Sequence, residues 1–139
     1  TVPVLAIPEG FGYHVIKDIV LAIDDKVITS QDVLQSLLTI TKEYKAHVNV
    51  LHVEKALVPV DNTDDALGLY LNSVPHSFNT VYNDDVKESV DRFVEKIDGD
   101  LLCMIHRKRG FWGNLFHRSN VSKESFNSPV PLLVLYDED

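Results

Sequence analysis

The apolar run Ile19-Val20-Leu21-Ala22-Ile23 stands between Lys17-Asp18 and Asp24-Asp25. A strand that is apolar at every position has no side to turn to water, so it needs cover on both faces. That is the situation of a strand inside a parallel sheet. The residues that follow agree. Thr29 or Ser30 offers a helix N-cap, and Val33, Leu34, Leu37, Leu38, Ile40 and Tyr44 then recur at helical spacing up to Lys45-Ala46. A second apolar, β-branched segment runs from His47 to Val53. Strand, helix and strand within about 35 residues make a βαβ unit. Its crossover is right-handed and its strands pair in parallel.

The alternation continues down the chain. Asp64-Asp65 can cap a short helix from Ala66 to Leu71, and Phe78 to Tyr82 supply a third strand. Asp84 or Asp85 caps a helix with the stripe Val86, Val90, Phe93, Val94 and Ile97, and Gly99 is expected to close it. Leu101 to Ile105 read as a fourth buried strand, residues 106–118 as a long loop, residues 119–126 as a short helix, and Pro131 to Leu135 as the fifth strand. The expected fold class is α/β, a five-stranded parallel doubly wound sheet whose working edge lies at the carboxyl ends of the strands.

The two ends of the chain resemble each other. The segments from Thr1 to Glu9 and from Ser128 to Glu138 share proline, then apolar residues, then an acid. Val4, Leu5, Ala6 and Ile7 come before the first strand with no helix between, so they have no place in a five-strand α/β repeat. They are read as an extra amino-terminal strand, the residual last strand of an upstream domain (residues 1–10), ahead of one domain over residues 11–139. The alternative is an ordinary proline-bearing edge strand.

Composition bounds the function. The chain has 139 residues, 45% of them apolar, enough for one core. No apolar run approaches the roughly 20 residues of a membrane span, and the first residues lack the basic start and cleavage site of an export signal. Cys103 is the single cysteine and sits in an apolar run, so a buried, inert thiol in a reducing cytoplasm is expected. A net charge of −8 argues against nucleic-acid binding. Yet Arg107, Lys108, Arg109, Arg118 and Lys123 follow one another with no acid between them. They either hold an anion or form a solvated basic loop. His52, His106 and His117 have no compact ligand spacing, and no metal is expected.

From Lys17 to Asp139 the order and spacing of these pieces resemble the universal stress protein family. The resemblance is carried by Ile19 to Asp24, Val50 to Val53, Asp100 to Ile105, the loop up to Ser119, and Pro129 to Leu135. It implies an adenine nucleotide alpha hydrolase-like sheet, pairing of fifth strands edge to edge in dimers or fused tandem domains, and an ATP site. In nucleotide-binding members the loop after the fourth strand reads G-x2-G-x9-G-S/T, and its glycines let backbone amides close on phosphates. Laid on this sequence, the glycine positions carry Ile105, Lys108 and Arg118, with Ser119 at the hydroxyl position. Gly110 and Gly113 are in the loop at other offsets and are read as turn formers. Asp24, Val53 and Met104 fall on the remaining ATP-site positions; Asp24 either lines the cleft or caps the next helix. Phe111, Trp112 and Phe116 are expected to cover the sheet end or a partner.

The resemblance therefore implies a non-enzymatic stress-response module with a degenerate nucleotide loop and no cofactor. Its partner would be a homodimer or pseudo-dimer mate, held through Leu132, Leu133, Val134 and Leu135 together with Val4, Leu5, Ala6 and Ile7. A working ATP-binding domain with slow hydrolysis is the alternative. A phosphoacceptor receiver domain fits less well, because the fifth strand ends in Tyr136-Asp137 where a lysine is needed. No nucleophile elbow or triad order is found.

Overall fold

The computed structural model describes residues 2–12, 14–23, 28–54, 63–107 and 128–137. The apolar run is β2 (Asp18–Ile23), and it is paired on both edges. On one side lies β3 (His47–Glu54), parallel, in register from Asp18↔His47 to Ile23↔His52. On the other lies β5 (Leu101–His106), also parallel, from Ile19↔Leu101 to Ala22↔Met104. Beyond β3 comes β4 (His76–Tyr82), and beyond β5 comes β6 (Leu132–Tyr136), both parallel to their neighbours. A short β1 (Val4–Ala6) runs antiparallel on the outer edge of β6, with Val4↔Val134, Leu5↔Leu133 and Ala6↔Leu132. The result is a six-stranded sheet in the order β1-β6-β5-β2-β3-β4. The parallel doubly wound sheet expected from the sequence is present, with the extra amino-terminal strand at its rim.

Strand alternation sorts the core into two layers. Ile19, Leu21, Val48, Val50, Leu101, Cys103 and Leu133 pack against α1 (Gln35–Tyr44) and, through Leu67, against α2 (Thr63–Tyr70). Val20, Ala22, Leu51, Leu102 and Met104 face the other way, against Val90, Phe93 and Val94 of α3 (Val86–Ile97). Ile19, Val20, Leu21 and Ala22 are all fully buried, at 0% exposure. At about 25 cal/mol per Å² of apolar surface, Ile19, Val20 and Leu21 each contribute on the order of 1.5–3 kcal/mol.

The helix ends differ from expectation in instructive ways. Ser30 takes the extended cap conformation (φ −160°, ψ 164°) but makes no side-chain cap bond, and a 3-10 turn over Gln31–Leu34 precedes α1. Thr29 spends its hydroxyl elsewhere, as described below. At α3 the Asp85 carboxylate accepts the Glu88 N–H at 3.0 Å, a regular N-cap. The left-handed residue after α3 is Asp98 (φ 55°), not Gly99. Gly99 is needed for close approach: a Cβ there would lie 3.3 Å from the Val20 Cγ2. The short second helix starts at Thr63, ahead of Asp64-Asp65, and the third strand starts at His76, two residues before the expected Phe78. The helix expected over residues 119–126 lies outside the described residues.

At the amino edge of the sheet, Asp100 ties the strands together. Its carboxylate accepts the Lys17 N–H at 2.8 Å and the Asp18 N–H at 3.0 Å, fixing β2 against the start of β5. Because the Asp85 cap satisfies an otherwise orphan amide, Asp85→Ala is expected to cost about 1 kcal/mol. Urea unfolding should show this as a lower midpoint at unchanged slope.

Candidate functional site: the carboxyl edge beside the switch point

The strand that follows β2 lies on one side of the adjacent parallel pair β2 and β5, and the strand that follows β5 lies on the other, so their carboxyl ends flank the topological switch point where α/β proteins place ligands. The described residues at this edge are Ile23, Ile28 to Ser30, His52 to Glu54, Ile105 to Arg107, and Tyr136-Asp137.

Two polar clusters occupy the edge. In the first, Asp137 follows β6, held by its own N–H on the His106 carbonyl at 3.1 Å. Its carboxylate accepts the Thr29 N–H on Oδ2 at 3.0 Å and the Thr29 hydroxyl on Oδ1 at 2.7 Å. The Arg107 guanidinium stands 3.7 Å from the same Oδ2, with both charged side chains almost wholly buried, 3% and 1% exposed. Arg107 is therefore no solvated loop cation, as one expectation had it; it lies beside an internal carboxylate. The ring of His106 packs on that of Tyr136 with centroids 5.3 Å apart.

The second cluster is on β3. His52 and Glu54, two residues apart, project to the same face, and His52 Nε2 comes within 2.9 Å of Glu54 Oε1. The approach does not have the geometry of a ring N–H hydrogen bond. Among the described residues no three His, Cys, Asp or Glu side chains converge as a metal site would require. A cleft of about 520 Å³, lined by Val94, Asp98, Gly99 and Val130 among others, opens at the far end of α3 and not at this edge.

No protein-family model matches the sequence, and no curated protein does. Solved structures match the fold. A universal stress protein from Archaeoglobus fulgidus DSM 4304 superposes with a TM-score of 0.64 at 15% identity, over 99% of this chain and 50% of its own. Another universal stress protein from Archaeoglobus fulgidus gives 0.60 at 15% identity, over 86% of this chain and 93% of its own. A universal stress protein crystallised in complex with cAMP gives 0.62 at 13% identity, over 90% of this chain and 100% of its own. This is the universal stress protein fold. The chain spans half the length of the first of these proteins.

Within the universal stress protein fold, the positions expected to meet ATP separate. Val53 and Met104 are buried together in the layer under α3. Ile105 lies in the opposite layer, packed among Ile23, Leu133 and Leu135. Strand β5 continues through His106, so Ile105 is still a paired strand residue, and its side chain fills the core instead of the space above the sheet end. Asp24, Lys108, Arg109, Arg118, Ser119, Gly110, Gly113, His117 and the aromatic residues of the loop lie outside the described residues. Sequence reasoning missed Thr29 and Arg107 as partners of Asp137. The available signal was an acid directly after the last apolar strand, opposite a cation directly after its neighbour.

Cys103 is on β5, fully buried, and burial pushes its thiol well above the usual thiol range. It is expected to resist a thiol reagent in the native protein and to react stoichiometrically in guanidinium, read by absorbance of the released thiolate.

Proposed function

We propose that this chain is a non-enzymatic universal stress protein domain, the carboxy-terminal half of a tandem protein, acting by strand-edge association with a second domain of its own kind. The observation that carries this is β1 on β6. A strand of three residues pairs antiparallel with the outermost strand of an otherwise parallel sheet. It exposes apolar side chains on both faces, Val4 at 48% and Leu5 at 50%, with Val2 and Ile7 beside them still more exposed. So short a strand gains little by its own burial; it makes sense as the rim of a neighbouring sheet that continues beyond it. Residues 1–10 are then the last strand of that upstream domain, and residues 11–139 the domain proper. The superposed Archaeoglobus fulgidus DSM 4304 protein, twice as long as the match, supports the same organisation. The lone buried thiol suits a reducing cytoplasm.

ATP binding is the alternative, and one observation favours it: a protein of the same fold was solved with cAMP. Asp24, Val53, Met104, Lys108, Arg118 and Ser119 would then line the site. Against it stand the glycines missing from the loop and Arg107 engaged by Asp137.

The association is tested by deleting residues 1–10. That uncovers the edge of β6, whose Leu133 and Leu135 side chains are core while its backbone edge becomes unpaired. Light scattering should show the truncated chain at twice its own single-chain mass, as two β6 edges pair across a twofold axis. An unchanged number of chains per particle counts against the proposal.

A further inference from the structure

The cluster around Asp137 has the composition of an oxyanion site. A backbone N–H, a hydroxyl and a guanidinium converge on one carboxylate: Thr29 N at 3.0 Å, Thr29 Oγ1 at 2.7 Å and Arg107 Nη2 at 3.7 Å. This mixture of main-chain donor, hydroxyl and cation is how proteins hold carboxylates and phosphates that arrive from solution. Here the anion is part of the chain. Both oxygens of Asp137 are bonded, Oδ1 to the Thr29 hydroxyl and Oδ2 to the Thr29 amide, with the guanidinium next to the second. Arg107 and Asp137 are each 3% exposed, whereas Thr29 is open to solvent, so the donor set lies one residue beneath the surface.

We propose that Thr29 and Arg107 form a small-oxyanion site at the switch point whose resident anion is the Asp137 carboxylate, seated where a free carboxylate or phosphate would bind. Three segments meet there: the connection from β2 to α1, the end of β5 and the end of β6. An internal anion joins them permanently, which a diffusible ligand does only when bound. Burying a guanidinium is costly, and the Asp137 carboxylate offsets part of that cost without any ligand. The site deepens the reading of a crevice that no longer depends on nucleotide, and it rests on its own observations. Deleting residues 1–10 leaves it intact, so the association and the internal anion stand or fall separately.

The experiment is chemical rescue. Asp137→Ala in the full chain empties the site and should lower Tm by about 10 °C, as loss of one partner of a buried pair does. Acetate or inorganic phosphate should then raise the Tm of the variant by about 4 °C per tenfold concentration above its dissociation constant, measured against chloride at equal ionic strength. Wild type should show no such difference between anions. Rescue by acetate alone assigns the site to carboxylates; rescue by phosphate as well assigns it to oxyanions in general, and both support the proposal. The double variant Arg107→Met, Asp137→Ala should lose the response. If Asp137→Ala is unfolded at room temperature, the same additions are followed as recovery of helical circular dichroism. A variant that shows no anion-specific response, or a double variant that responds as strongly, overturns it.

Discussion

The parallel pairing of β2 on both its edges is the constraint from which the rest follows. With β3 on one side and β5 on the other, β2 has no free backbone edge and no exposed face. A strand so placed must be apolar throughout, and its neighbours must be reached by crossovers that leave to opposite faces. That requirement puts α1 and α2 on one side and α3 on the other, with the topological switch point at the carboxyl ends of β2 and β5. Asp100 fixes the opposite end by taking the first amides of β2 on its carboxylate.

Function in such a sheet is decided by what meets at the crevice and what meets at the outer edges. At the crevice this chain places a buried carboxylate and a buried guanidinium from adjacent strands, joined to the β2 connection through Thr29. At the outer edge, β1 covers the backbone of β6 and presents apolar side chains outward. The first feature supplies an anion to the described part of this edge from the chain itself; the second leaves apolar side chains exposed at the rim of the sheet. These two features are the ones the proposed association and the proposed internal anion draw on.

Much of the fold was legible because its signals are periodic. Runs such as Ile19 to Ile23 and Leu101 to Ile105 declare two-sided burial, and the stripe Val86, Val90, Phe93, Val94 declares a helix with one buried face. The sheet edge occupied by Val4 to Ala6 was also readable, from the likeness of the two chain ends. The polar details were not. A cation following a strand reads as solvated, and nothing local in the sequence says that Arg107 is buried beside a residue thirty positions away. Thr29 looks like a cap because its neighbour Ser30 is one in conformation, yet its hydroxyl reaches across the sheet to Asp137. The spacing that sets Ile105 at a glycine position of the loop does not reveal that it is a paired residue of β5. Such contacts depend on tertiary placement, which periodicity does not encode.

The central claim is that the switch-point crevice is completed by the protein's own side chains. It is tested most directly by following the backbone amides of Thr29, Arg107 and Asp137 in a 1H–15N correlation spectrum while magnesium and ATP are added to the full chain. The account predicts that these resonances stay in place at millimolar nucleotide. Saturable shifts concentrated on those amides would contradict it.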